Sequence, residues 1–270
     1  MPGVHRLVAP NGGPMTGPGT NSYLLGQRRQ VVIDPGPAIV AHVDAIMAAS
    51  GGELSHIIVT HTHADHSPAA ATLAKLSGAR LVGLCPPALP RQDQSFRPDI
   101  EPDDGQVIEA GDVQLRAIHT PGHASNHICY LMDDRRLLFT GDHVMQGSTV
   151  VIPPPDGDMA AYIDSLRKVE ALEVAKIAPG HGTIIDDPQR ALRRLVRHRL
   201  QREARVLARL AKAGRATLAE LLVDVYDDVS KQLHPVAEFS LRAHLIKLRD
   251  EGRVVQDGQH WRVSDIGLDD

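Results

Sequence analysis

Thr60-His61-Thr62-His63-Ala64-Asp65-His66 follows directly on the short apolar run His56–Thr60. That run is long enough for a buried strand and too short for a helix. The next stretch, Pro68–Leu76, is rich in Ala and Leu and reads as a helix. Four potential ligands thus lie at a strand end, on the way into a helix. In an extended segment the side chains alternate, so His61 and His63 point the same way. The turn into the helix lets Asp65 and His66 face a second position. Imidazole and carboxylate suit zinc, and also iron or manganese. One tetrahedral ion cannot comfortably take all four, which points to two ions.

The remaining ligands are expected at other strand ends, and three candidates stand there. His123 lies in Thr120-Pro121-Gly122-His123, after a strand at Val113–Ile118. Asp142 lies in Thr140-Gly141-Asp142, after Leu137–Thr140, and His181 lies in Ala178-Pro179-Gly180-His181-Gly182, after Val174–Ala178. Each sits beside a glycine, where backbone can approach closely. Five histidines and two aspartates complete a two-metal set. Two metals about 3.5–4 Å apart hold a bridging hydroxide at neutral pH, because coordination lowers the pKa of water to about 7. Asp65 is placed to orient that nucleophile. The reaction class is hydrolysis of an ester, thioester, amide, lactone or phosphodiester.

Outward from these segments the chain alternates short β-rich runs with helices. Ser22–Gly26 and Val31–Asp34 read as a strand pair ending in the turn Asp34-Pro35-Gly36. Residues 38–49 and 158–172 read as helices; Arg80–Leu84, Gln106–Glu109 and Ile128–Met132 read as strands, and Pro86–Pro98 as a loop. This order predicts an α/β fold with sheets inside and helices outside, an αββα sandwich. Beyond it a helical pattern runs from Pro188 to Arg215, with Asp186 and Asp187 placed to cap it and Gly214 placed to end it. Residues 217–227, 237–250 and 253–263 then read helix, helix, β-hairpin, a winged-helix-like α+β module. The expected division is a catalytic domain at 1–187, a basic linking helix at 188–213 and the winged module at 214–270.

The set His61, His63, Asp65, His66, His123, Asp142 and His181 resembles the metallo-β-lactamase superfamily, whose signature is HxHxDH followed by downstream His, Asp and His. The resemblance covers about residues 20–190. It implies that His61, His63 and His123 hold one metal, that Asp65, His66 and His181 hold the other, and that Asp142 bridges them. A narrower resemblance runs through His198-Arg199, Arg202-Glu203, Leu233-His234-Pro235, Leu241, His244-Leu245, Lys247-Leu248 and Glu251-Gly252. These residues look like the β-lactamase-like protein 2 family, which joins this fold to a C-terminal winged-helix-like module. Its animal member is a single-stranded-RNA endoribonuclease, and its bacterial members are mostly named only as metal-dependent hydrolases. Two Zn2+ per chain are implied, with Fe or Mn as alternatives.

The other histidines have weaker readings. His127 matches a position often occupied in glyoxalase-II-like proteins, as an outer hydrogen-bonder or simply a satisfied strand residue. His143 either approaches the cleft or packs. His56 and His119 read as structural, and His5, His42, His234 and His260 carry no signal. Cys129 reads as a small buried hydrophobe. The Gly/Pro-rich segment Pro10–Asn21 is either a rim of the active-site mouth or a plain connection.

Composition narrows the classes. The chain has 270 residues, 42% hydrophobic and 23% charged, which is ordinary for a soluble globular protein. No uncharged apolar run approaches the ~20 residues of a membrane helix. The start, Met1-Pro2-Gly3-Val4-His5, has neither a basic nor an apolar region of a signal peptide. Two cysteines exclude a disulfide scaffold. A cytoplasmic location and a monomer or homodimer are expected, and a secreted antibiotic-destroying lactamase is disfavoured.

Residues 188–215 hold ten Arg or Lys and one acid, Glu203, and the other 19 basic and 32 acidic residues leave −13 on the rest. Such asymmetry marks either an RNA or anionic-substrate surface or a helix face paired with the acidic body. Three functions fit these features: an RNA phosphodiester hydrolase, a glyoxalase-II-like hydrolase of a small ester, thioester or lactone, and a DNA-binding regulator with a vestigial enzyme domain. The intact ligand set argues against the last.

Overall fold

The computed structural model describes residues 2–264. The first sheet contains β1 (Val4–Val8), β2 (Asn21–Leu25), β3 (Gln30–Ile33), β4 (Leu54–Ile58) and β5 (Arg80–Val82), in that order. β1, β2 and β3 pair antiparallel, whereas β3, β4 and β5 run parallel. The parallel pairs need crossovers, supplied by α1 (Val40–Ala49) and α2 (Ala69–Ser77). The second sheet has the order β10-β9-β8-β7-β6. Its strands are β6 (Val107–Ala110), β7 (Val113–His119), β8 (Ile128–Met132), β9 (Leu137–Gly141) and β10 (Lys176–Pro179). They pair antiparallel except β9 with β10, which α3 (Met159–Glu170) connects.

The sheets pack face to face through Tyr23, Leu25, Ile33 and Ile58 on one side and Leu115, Ile128, Tyr130 and Phe139 on the other. On the outer faces, α1 and α2 cover the first sheet through Ile46 and Leu73. α3 and the first half of α4 (Pro188–Ala213) cover the second through Ile163, Leu166, Leu192 and Leu195. This is the expected αββα sandwich. Aromatics make up only 3% of the chain, so beside Tyr23, Tyr130 and Phe139 the core is mostly aliphatic, and each fully buried Leu or Ile contributes roughly 1.5–3 kcal/mol.

The second half of α4 changes partners. Val206 and Leu210 pack with α5 (Leu218–Val225), α6 (His234–Asp250), β12 (Val254–Asp257) and β13 (His260–Val263). A short β11 (Ala216–Thr217) completes a three-stranded sheet, order β11-β13-β12. Local chemistry sets the helix starts. Asp187 caps α4 by accepting from the Arg190 N–H, with Pro188 in its first turn, and Thr217 and Glu220 form a reciprocal capping box on α5. Residues 265–270 of the expected module lie outside the described residues.

Three elements depart from the sequence reading, the first being β11, which adds a third strand to the expected hairpin. β1 was not anticipated: it is an edge strand, with Val4 buried but His5, Arg6 and Val8 exposed, so its pattern carries little apolar alternation. α6 begins at His234 rather than 237, because Pro235 sits in the first turn, where its missing N–H costs nothing.

Candidate metal centre

Every candidate ligand follows the C-terminal end of a strand, and these ends open on one edge of the sandwich. The heptapeptide follows β4, His123 follows β7, Asp142 follows β9 and His181 follows β10. Glycines allow the close approach. A Cβ on Gly122 (φ +144°) would lie 2.4 Å from the Tyr162 Cα of α3, and one on Gly180 would lie 2.9 Å from Asp142 Oδ1.

The structure brings all seven sequence-selected residues together. His61, His63 and His123 form one group and Asp65, His66 and His181 another, the donor atoms of each within 4.8 Å of one another. Asp142 faces both. Its Oδ1 lies 3.4 Å from His66 Nε2 and 3.3 Å from His181 Nε2, and its Oδ2 lies 3.7 Å from His123 Nε2. His181 Nε2 is 3.3 Å from Asp65 Oδ2, and His123 Nε2 is 2.9 Å from His63 Nδ1.

Outer contacts orient the rings. Asp34 Oδ2 accepts from Thr60 Oγ1 (2.8 Å) and from His66 Nδ1 (2.9 Å), while its Oδ1 accepts from the Thr60 N–H. Thr60 Oγ1, its proton given to Asp34, accepts from His61 Nδ1 at 3.1 Å. His123 Nδ1 donates to the Val151 carbonyl at 2.7 Å, and His181 Nδ1 to the Gly19 carbonyl at 3.1 Å. Each of these four rings thus spends its Nδ1–H outward and turns its Nε2 inward, the arrangement of a metal-binding imidazole. Thr62, between His61 and His63, is held by Gln92 and Asn126.

The donor set fits divalent cations on two further observations. His61 Nε2, His66 Nε2 and Asp142 Oδ1 are buried without a hydrogen-bond partner, an arrangement costly unless something binds there. Burial and the neighbouring imidazoles hold His61 well below the ordinary histidine range and His63 down at about 3, so both are neutral donors. Around the carboxylates the sign reverses. Burial opposes ionisation of Asp65 and Asp142, but His66 and His181 outweigh it, pulling Asp65 to about 2 and Asp142 well below the carboxylate range. Burial likewise opposes charge on His66 and His181, yet Asp65 and Asp142 raise His181 to about 10 and, with Asp34, hold His66 well above its usual range. The two imidazoles, held protonated, balance the two carboxylates, a role in which a bound cation can replace their Nε2 protons.

His127 donates or accepts at Thr120 Oγ1 (2.9 Å) and lies 5.1 Å, ring to ring, from His61. His143 is fully buried and packs edge-on against Tyr162. His56 and His119 bond to Ser55 and the Pro102 carbonyl, away from the centre. The end of the Pro10–Asn21 segment belongs to the centre's frame. Thr20 Oγ1 is 3.4 Å from Asp65 Oδ2, and Asn21 Nδ2 donates to the Pro179 and Gly182 carbonyls around His181. The sequence reading missed Asp34, taking Asp34-Pro35-Gly36 as a turn, although an acid at a strand end facing the heptapeptide was the available signal. His42 was also passed over. It bonds Ser22 Oγ, whose proton goes to the Asp34 carbonyl.

The long basic helix is not one charged face. Arg199, Arg202 and Glu203 are buried, while Arg205 and Arg209 pair with Asp227 of the winged module. Arg190, Arg193, Arg194 and Arg197 remain exposed. No helix among the described residues is long and apolar enough to cross a membrane.

Residues 15–181 match the model of the metallo-beta-lactamase superfamily, and residues 217–261 match that of the beta-lactamase associated winged helix domain. An atrochrysone carboxyl ACP thioesterase of Paecilomyces divaricatus is 32% identical over 84% of this chain and 71% of its own. The beta-lactamase-like protein 2 homolog of Drosophila melanogaster is 28% identical over 93% of this chain and 89% of its own. Among solved structures, a metallo-beta-lactamase family protein from Thermus thermophilus superposes with a TM-score of 0.83 at 21% identity, covering 97% of this chain and 99% of that one.

Proposed function

Because this chain belongs to the metallo-beta-lactamase superfamily and is a hydrolase, we propose that it uses two divalent ions to hydrolyse an acyl thioester or related ester. Residues 1–187 would form the catalytic unit, 188–213 the link and the remainder the winged module. The observation that carries the dinuclear reading is Asp142, whose two oxygens face two separate donor groups. In this reading His61, His63 and His123 hold one ion, Asp65, His66 and His181 the other, and Asp142 both. The nitrogen and carboxylate donors suit zinc, with iron or manganese as alternatives.

Bound ions would supply Lewis acidity, polarising a carbonyl and making water acidic enough to attack at neutral pH. The chain's own groups do the rest. Asp65 is the most exposed carboxylate of the set, its side chain 28% accessible. It is held near Thr20 Oγ1, where it can accept a hydrogen bond from the attacking water and orient it. Asp34 fixes Thr60 and His66, so the donors are already in place when substrate arrives.

The thioester preference is supported by the similarity to a relative named as an ACP thioesterase. The structure of α4 weighs the same way, since much of its basic charge is buried or paired rather than free for phosphates. The test offers zinc-loaded protein an S-acyl N-acetylcysteamine, a phenyl ester and labelled single-stranded RNA, with Asp142→Ala as the contamination control. Thioester or ester turnover that is lost in the control is expected. RNA cleavage lost in the control, with no ester turnover, would replace this reading with a nuclease.

A further inference from the structure

Two arginines one helical turn apart in α4 are buried in the same manner. Arg199 lays its guanidinium over the Tyr162 ring, 5.1 Å from the centroid, and donates from Nη2 to the Val150 carbonyl. Arg202 lies over Tyr226 at 4.3 Å and donates to the Val225 carbonyl. They differ in charge compensation. Arg202 also makes a forked pair with Asp228, at 2.8 and 3.1 Å. Arg199 is 2% exposed, leaves its Nε without a partner, and among the described residues has no ion pair with a carboxylate.

Burying an ion without a counter-charge is costly. A charge-assisted hydrogen bond and a desolvated cation–π contact offset part of that cost. A methionine would fill the space without the desolvation. The value of Arg199 is therefore to be sought in what it holds.

It holds the residue next to a ligand's anchor. Val150 and Val151 belong to the long irregular segment between Asp142 and α3, in which no strand pairing fixes the backbone. The Val150 carbonyl is taken by Arg199, and the next carbonyl, of Val151, receives the His123 Nδ1–H at 2.7 Å. The Val150 and Ile152 side chains are packed under the second sheet with Tyr162. Tyr162 donates its hydroxyl to the His143 carbonyl, and its backbone abuts Gly122. One guanidinium thus touches both supports of His123, the carbonyl segment and the helix behind its loop.

We propose that Arg199 is a positioning residue for the metal centre, setting the Val151 carbonyl that orients the His123 imidazole. The linking helix then does more than join two modules: it completes the outer support of one ligand. This rests on the two-ion reading above.

The test is a Co2+ titration of the full chain, followed by visible spectrum and by melting of the metal-free protein. His123→Ala first identifies the spectral step belonging to the ion held by His61, His63 and His123. Loss of an outer support typically costs 10–100-fold in affinity, so Arg199→Met is expected to weaken that step about tenfold and leave the other unchanged. Arg199→Lys keeps a donor but not the planar fork, and should fall between wild type and Met. Arg202→Met is the matched control, expected to lower the melting temperature without moving either step. If Arg199→Met does not fold, Arg199→Lys decides, and a wild-type titration for it overturns the proposal. Equal weakening of both steps, or the same loss in Arg202→Met, also overturns it. If His123→Ala still takes both ions as wild type does, His123 is no ligand and this inference falls alone, whereas a single Co2+ step in the wild type would overturn the two-ion reading and this inference with it.

Discussion

At the strand ends, buried polar groups point at one another across gaps with their lone pairs unspent; in the winged module, buried charges close on themselves. His61 Nε2, His66 Nε2 and Asp142 Oδ1 have no hydrogen-bond partner. By contrast, Glu203 accepts from Lys247 at 3.0 Å and from Arg253 at 3.4 Å, and Arg202 is forked on Asp228. Both regions bury polar groups, and the module too leaves some without partners, as at His244 and the Tyr226 hydroxyl, but among the described residues only at the strand ends do three His or carboxylate donors converge within 4.8 Å of one another. The first is therefore a cluster that could hold a cation, and the second a joint that holds a small module on a long helix. The comparison predicts that perturbing the centre changes binding and turnover, while perturbing the module changes stability.

The largest effect should come from Asp142→Ala. Removing the one carboxylate that faces both donor groups takes away a ligand and several kcal/mol of charge stabilisation, or roughly three orders of magnitude in turnover. Metal analysis should fall from two ions toward one, while the circular dichroism of the metal-free variant stays that of the wild type. Full activity of the variant at stoichiometric metal would sink the assignment.

The matching break in the module is Leu210→Ala. Leu210 is fully buried among α5, α6 and the wing. Losing it should cost about 2–5 kcal/mol. For a chain of this size that lowers the melting temperature by roughly 5–15 °C. Ion affinity, measured below the transition, should not change. A variant that melts normally but binds metal poorly would erase the distinction drawn between the two regions.

The contrast also explains what the sequence discloses. The ligands were legible because their chemistry is local: four donors within six residues, and three more beside glycines at strand ends. The sandwich was legible because its strands are fully buried apolar runs, as in β8 and β9. β1 was not, since an edge strand needs only one apolar residue inside. Nor was the burial of Arg199 and Arg202. A run of ten basic residues reads as a surface, and only packing against Tyr162 and Tyr226 turns two of them inward. Asp34 stayed hidden because its three hydrogen bonds span 26 to 32 residues of chain.

Asp34→Asn sharpens the comparison by altering the centre's frame without touching a donor. Asn tolerates the left-handed backbone here (φ 50°) as Asp does. However, its amide nitrogen cannot accept from Thr60 or His66. The ion beside His66 should bind about 10–100-fold more weakly, with a smaller loss in melting temperature than Leu210→Ala causes. Isothermal titration of the metal-free protein measures this directly, and an unchanged second-ion affinity would mean that Asp34 only shapes the turn.

The smallest effect belongs to the joint's rim. Arg202, and behind it Arg205, holds the Asp228 carboxyl below its ordinary value of 3.8. A carboxylate whose pKa is lowered by folding adds stability above its unfolded pKa and loses it as pH falls through the folded one. The Asp228 side chain is 52% exposed, so solvent screens the pair, and the contribution should stay under about 1 kcal/mol. The difference in melting temperature between wild type and Asp228→Asn should therefore be constant from about pH 7 to 5 and shrink toward pH 3. It should also shrink in high salt, because part of the attraction is exposed to screening. A difference that grew on acidification would mean that Asp228 is held protonated, and that Arg202 is anchored by the Val225 carbonyl rather than by charge.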